Sequence, residues 1–200
     1  MNERLRIAVA DDEAFIRRYF QEVLPDLGHE VVVVASNGRQ LVEGCLGCER
    51  APDLVLSDIR MPEMDGIEAA AAIAQRVVIP VILISAFHDE DLIGRAAASE
   101  VMAYLIKPIG RPDLEAAIRI AYGRFRQLRS LQEEASRLRQ SLEERKVIER
   151  AKGLLMKLTG LGEEEAFRRM QQMACDKNEK LLAIAHRILA AGPAVELIAE

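Results

Sequence analysis

The chain has 200 residues, half of them hydrophobic, with no Trp, few aromatics and a formal net charge of −5. That length accommodates a large domain and a small one, and an acidic balance excludes a chain that binds nucleic acid along its whole length. Its longest apolar runs, such as VIPVILISAF, are too short to span a bilayer, and no apolar stretch follows a basic amino-terminal segment; a cytoplasmic protein with no membrane partner is expected.

Residues 5–10 (LRIAVA) form a short apolar run, and residues 13–27 then carry Phe15, Ile16, Tyr19, Phe20, Val23, Leu24 and Leu27 at helical spacing. Gly28 is placed to end that helix in a left-handed conformation. The alternation continues with VVVVA, a helix over about 39–48, the strand DLVLS and a helix from near Gly66. IPVILIS, a helix over about 89–98, VMAYLI and a helix from about Pro112 complete it. Five successive strand–helix units predict an α/β fold: a flavodoxin-like, five-stranded parallel sheet with helices on both faces. Cys45 and Cys48 form a lone CxxC with no second pair to complete a zinc site, and read as ordinary helix cysteines.

From Leu114 to about Leu142 there is no proline and Gly123 is the only glycine, which predicts one long helix leaving the sheet. Leu128, Leu131, Ala135, Leu138 and Leu142, spaced 3, 4, 3 and 4, form a heptad seam suited to a second copy of the chain; the competing reading packs the stripe against the protein's own helices. Further helices are expected over 145–158, 163–174 and 179–190, separated by TGLG and CDKN, with Gly162 and Asn178 as N-caps. Each carries one apolar stripe, so they predict a small three-helix bundle. The expected division is 1–122, a coiled-coil linker over 123–142, and 143–200.

Each predicted strand that ends in a polar residue ends at its carboxyl terminus: Asp11 and Asp12 follow IAVA, Asp58 follows DLVLS, Ser85 ends PVILIS, and Lys107-Pro108 follows MAYLI. Parallel sheets gather these ends at one edge, where α/β proteins build their sites. Three converging carboxylates repel unless a cation sits among them. Mg²⁺, which takes a few oxygen ligands beside a phosphate, suits Asp12, Asp58 and a following backbone carbonyl. An aspartyl phosphate forms only where the incoming charge is neutralised, and a nearby hydroxyl can report its presence.

VADDE, LSDIRMPEMDG, ILISAF and AYLIKP, in this order, resemble the receiver domain of a bacterial two-component response regulator over about residues 4–122. The resemblance implies that Asp58 is the phosphoacceptor, that Asp11 and Asp12 hold Mg²⁺ with Asp58, and that the Arg60 carbonyl is a further ligand. It also implies that Lys107 pairs with the phosphoryl group, Ser85 moves to hydrogen-bond it, Tyr104 is the switch aromatic and Lys107-Pro108 is cis. The phosphodonor would be a sensor histidine kinase. Such a chain accepts a phosphoryl group and is not an enzyme in the usual sense.

Residues 143–192 hold ten Lys+Arg against eight Asp+Glu, a local +2, while the remainder has 17 against 24, or −7. The elements AKGLLM, EEEAF and AxxxNxxLxxIA in this region resemble the ANTAR domain, a small helical RNA-binding module. The order receiver, coiled-coil helix, ANTAR is that of the AmiR and NasT type of transcription antiterminator. It implies binding to tandem hairpins in nascent leader RNA, and a homodimer in the active state. Arg145, Lys146, Arg150, Lys152, Lys157, Lys177 and Lys180 could meet phosphates, with Ala151 and Gly153 allowing close approach of a backbone or another helix. Two other outputs stay open: a DNA-binding regulator using a helix-turn-helix, and a protein-interaction output controlled by a partner without phosphorylation.

Overall fold

The computed structural model describes residues 3–86 and 101–192. The chain divides into two compact units, residues 1–129 and 130–200. In the first, β1 (Arg6–Ala10), β2 (Glu30–Ala35), β3 (Leu54–Asp58), β4 (Val81–Ser85) and β5 (Val101–Ile106) form one parallel sheet in the order β2-β1-β3-β4-β5. Every residue of β3 and β4 is buried, as expected for central strands covered on both faces.

Alternate strand residues feed two cores. Ala8, Ala10, Val55 and Leu83 pack with Leu41 and Cys45 of α2 (Gly38–Gly47) and with Ile67, Ala70 and Ile73 of α3 (Gly66–Ala74). Ile7, Val9, Leu54, Leu56, Ile82 and Ile84 pack instead with Phe20 and Leu24 of α1 (Ala14–Asp26) and with Leu114, Ile118 and Ala121 of α4 (Arg111–Thr159). Cys45 is one of these core side chains, and burial pushes its thiol up to about 12, which makes it inert packing. The helix expected over 89–98 lies outside the described residues.

The helix ends follow local chemistry. After α1, Gly28 has φ +87, and the amides of Gly28 and His29 donate to the carbonyls of Pro25 and Leu24, the paired bonds of a Schellman motif. Asn37 caps α2 by accepting the Gln40 amide, and Asp65 with Glu68 forms a reciprocal capping box on α3. These two caps frame the loop from Asp58 to Gly66.

Two expectations need correction. No break separates the long helix from the segment over 145–158, because α4 is a single helix of 49 residues. The junction EERK has neither glycine, proline nor a capping side chain to stop it. The helix ends only at Gly160, whose φ of +72 suits glycine and whose amide donates to the Met156 carbonyl. Asn178, in turn, is not the N-cap of the last helix. It sits at φ +50 and closes α5 (Glu163–Asp176): its amide donates to Cys175 and that of Glu179 to Ala174, so α6 (Leu181–Ala191) starts after Lys180. Asparagine tolerates this left-handed position better than other non-glycine residues, and here that property outweighs its capping preference.

In the second unit Ala151 and Leu155 of α4, Ala166 and Met170 of α5, and Ile184, Ala185 and Ile188 of α6 form a buried bundle core. Phe167 is only half-buried. Leu128, Leu131, Ala135, Leu138 and Leu142 are exposed along α4, so their seam is not spent on an internal contact among the described residues. No helix among the described residues is long and apolar enough to cross a membrane.

A Cβ on Gly66 would lie 2.1 Å from the Asp58 carbonyl oxygen and 2.9 Å from Ser57 Oγ. Gly66→Ala is therefore expected to lower stability by ~1–3 kcal/mol in urea denaturation. Gly123→Ala, where the added methyl meets open space within α4, should raise stability by ~0.5–1 kcal/mol.

Candidate functional site

The carboxyl edge of the sheet brings together Asp11, Asp58, Ser85 and Lys107. Asp11 follows β1 with no solvent exposure, Asp58 and Ser85 end β3 and β4 and are buried, and Lys107 follows β5. The Lys107 ammonium lies 2.9 Å from Asp11 Oδ2, 3.2 Å from Glu13 Oε1 and 3.3 Å from Asp58 Oδ2. Its amide donates to the Ser85 carbonyl at 2.9 Å, so the lysine is tied to the adjacent strand end by its backbone as well. The Lys107-Pro108 bond is cis, as expected.

Backbone contacts fix the carboxylates. Asp11 Oδ1 accepts the Glu13 amide at 2.9 Å, and Asp58 Oδ1 accepts the Ile59 amide at 3.0 Å. Arg17, on the first turn of α1, donates from Nη1 to the carbonyls of Asp11 at 2.7 Å and Asp12 at 2.8 Å. Asp11 Oδ2 is buried and has the ionic approach of Lys107 but no well-directed hydrogen bond from the described residues.

Burial raises Asp58 to about 6; Lys107 pulls against this and Asp11 adds to it. Asp11 is also raised by burial, in spite of Lys107 and the Glu13 amide. Burial alone would lower Lys107, but Asp11 and Asp58 outweigh it and hold the ammonium protonated.

One carboxylate oxygen from each of Asp11, Asp12 and Glu13 lies within 4.8 Å of the others, a spacing that can hold a metal ion. The all-oxygen donors, the undirected Asp11 Oδ2 and the raised carboxylates fit a hard divalent cation. Arg60, exposed, lies two residues beyond Asp58. Ser85 Oγ donates to the Ala86 carbonyl at 2.8 Å. Tyr104 is half-buried on β5, packs against the α2–α3 core, and its phenol is raised by burial. Glu13 and Arg17 had no role assigned from sequence. The third acid of the DDE run was a visible hint for Glu13, whereas the Arg17 bonds to backbone carbonyls have no sequence signature.

The cations of the second unit fall into two groups. Lys152, expected to be a surface phosphate contact, is nearly buried and lies 2.7 Å from both Glu149 and Glu163. Those two carboxylates raise it, so it joins α4 to the start of α5 rather than presenting a free charge. Linear spacing did not reveal this because Glu163 belongs to the next helix. Lys146 pairs with Glu143 at 2.7 Å, with both side chains exposed. Arg145, Arg150, Lys157, Lys177 and Lys180 are exposed and have no ion-pair partner among the described residues. Ala151 is fully buried, whereas a Cβ on Gly153 would meet nothing within 4 Å.

A parallel sheet with a basic side chain bridging acids at its carboxyl edge is the arrangement expected of a receiver, and residues 7–119 match the response regulator receiver domain family. Residues 136–189 match the ANTAR domain. The chain belongs to the response regulators that join a receiver domain to an ANTAR domain. Transcriptional regulatory protein PdtaR of Mycobacterium tuberculosis is 41% identical over 184 residues, covering 92% of this chain and 89% of that protein. Chemotaxis protein CheY of Bacillus subtilis is 39% identical over 104 residues, 52% of this chain and 85% of its own length. The response regulator receiver domain protein of Clostridium thermocellum superposes with a TM-score of 0.57 at 28% identity, over 62% of this chain and 98% of that one. A protein-glutamate methylesterase of Carboxydothermus hydrogenoformans, 38% identical, matches over 56% of this chain but only 32% of its own length. Family membership thus makes this chain a regulator.

Because burial raises both Asp58 and Asp11, the folded protein holds their protons more tightly than the unfolded chain. The stabilising contribution of Asp58 is present below about pH 4 and lost as pH rises through about 6, and Asp11 acts in the same direction. Metal-free Asp58→Asn should therefore gain on the order of 2 kcal/mol over the unsubstituted protein at pH 7.5 and nothing at pH 4, read by denaturant titration. Arg17→Ala should weaken divalent-cation binding roughly 10- to 100-fold by calorimetry.

Proposed function

We propose that this chain is a phosphorylation-controlled regulator that accepts a phosphoryl group on Asp58 and binds tandem hairpins in nascent leader RNA, acting as a transcription antiterminator. The observation that carries the reading is the Lys107–Asp58–Asp11 cluster in the same chain as an ANTAR match over residues 136–189. A sensor histidine kinase is the proposed phosphodonor, and the cytoplasm is the proposed location of this chain.

The chemistry follows from the charges. With its value near 6, the Asp58 carboxylate is largely ionised at neutral pH and available as nucleophile. Lys107, held protonated, offsets negative charge arriving at the acceptor. Mg²⁺, held by Asp11, Asp12, Asp58 and the Arg60 carbonyl with Glu13 beside them, would supply further neutralisation of the phosphoryl oxygens. A new phosphoryl group competes with the carboxylates for Lys107, whose amide is bonded to the Ser85 carbonyl; Ser85 and Tyr104 are the proposed reporters of that change.

The exposed seam of Leu128, Leu131, Ala135, Leu138 and Leu142 supports pairing of two copies, so that two bundles can grip two hairpins with bivalent affinity. A DNA-reading output is less well supported. The exposed positions of α6 include Ala183, His186 and Ala190, and Arg187 is engaged by Glu179. Few side chains are left there to read bases in a major groove.

In Mg²⁺ and acetyl phosphate, intact-mass spectrometry should show one phosphoryl group on the protein and none on Asp58→Asn. Phosphorylated protein should bind a two-hairpin RNA at least tenfold more tightly in filter binding, and should sediment as a dimer. Incorporation that survives in Asp58→Asn would place the acceptor elsewhere. RNA affinity independent of phosphate would transfer control to a partner.

A further inference from the structure

Within the second unit, α4 presents its two sides to different surroundings. Ile148, Ala151 and Leu155 point into the bundle, the last two with no solvent exposure. Lys146, Arg150, Gly153 and Lys157, spaced i, i+4, i+7 and i+11, fall within about 60° of arc on the opposite side at 3.6 residues per turn. Arg150 and Lys157 have no ion-pair partner among the described residues. Lys146 is held only by the exposed Glu143, a surface pair that a stronger anion can displace.

Gly153 lies between Arg150 and Lys157 on this face. A glycine inside a helix costs about 1 kcal/mol relative to alanine, so its presence calls for a reason. Packing does not provide one, since a Cβ there would meet nothing within 4 Å. Gly123 is equally open, with Arg119 four residues before it and Arg126 three residues after it, but Arg126 is engaged by Glu3 at 2.7 Å, whereas Gly153 has an unpaired cation on both sides. The result is a bare stretch of helix backbone flanked by two positive charges, with a third one turn further back. That shape and charge match a sugar–phosphate backbone lying across the helix, with the phosphates on the cations and a sugar in the gap.

Resting on the RNA reading given above, we propose that the Lys146, Arg150, Gly153 and Lys157 face of α4 is where the protein grips the phosphate backbone of a hairpin stem, independently of its base sequence. Lys152 is excluded from this contact because Glu149 and Glu163 already hold it. The contact supplies affinity and register, and leaves sequence choice to other residues.

The test uses full-length protein phosphorylated with acetyl phosphate and a synthetic RNA of two adjacent hairpins with randomised loops. Arg150→Ala and Lys157→Ala should each weaken binding roughly tenfold, and each should reduce the slope of log affinity against log salt by about one. Gly153→Leu should fold with an unchanged or higher melting temperature, since leucine favours helix and the site is open, yet bind RNA at least tenfold more weakly. Gly123→Leu is the control and should bind normally. Unchanged affinity and salt slope in the Arg150 and Lys157 variants, with binding by the unsubstituted protein intact, would overturn this face while leaving RNA binding standing. No binding of any hairpin RNA by the unsubstituted protein would remove the RNA reading, and this face with it. Equal affinity for duplex DNA of the same length would overturn RNA as the occupant.

Discussion

One ammonium group holds the receiver's active edge together. Lys107 stands among three carboxylates, Asp11, Glu13 and Asp58, that the parallel sheet and the start of α1 force towards one another. Like charges about 4 Å apart repel by roughly 4 kcal/mol at an effective dielectric of 20, so the cluster is intolerable without an internal cation. The cost that remains shows in the two buried aspartates, both pushed up by desolvation despite the lysine. Because the Lys107 amide is also bonded to the Ser85 carbonyl, a change in what the ammonium faces is felt at the end of β4. The edge is thus strained by charge, and its equilibrium can be moved by adding or removing charge.

Much of this was legible in the chain because the signals were linear. Uninterrupted apolar runs such as VILI identify strands buried on both faces, and a parallel sheet converts polar residues at their ends into neighbours. The order of VADDE, LSDIRMPEMDG and AYLIKP then added the family's chemistry. What escaped depended on contacts between distant backbone and side-chain groups. Arg17 acts on two carbonyls, which have no identity in a sequence. Lys152 looks like one of several surface lysines until Glu163 is placed opposite it by the turn at Gly160. Asn178 was legible as a helix boundary but not as to which helix it served, since asparagine both starts helices and ends them.

The continuity of α4 changes what the two family domains mean physically. The matched regions stop at residue 119 and resume at 136, yet the helix passes through both limits without a break. Its apolar residues serve the sheet core through Leu114, Ile118 and Ala121, stand exposed from Leu128 to Leu142, and return to a core with Ala151 and Leu155. Beyond its first turn, where Pro112 sits, α4 has no proline to interrupt its hydrogen bonds.

The exposed leucines and the cationic face meet on the same helix, and their chemistries oppose each other. Leu142 is the last residue of the apolar seam, and Lys146 begins the positive row one turn later on an adjoining side. Pairing two copies in parallel through the seam would draw two positive rows towards one another, and that repulsion would oppose such a dimer in the absence of an anion. A nucleic-acid backbone neutralising either row removes the penalty, so RNA binding would favour pairing and pairing would favour RNA by the same factor. Within the proposed function, phosphorylation and RNA then act on one association equilibrium from its two ends. Neither needs to carry the whole of the free energy that separates the two states.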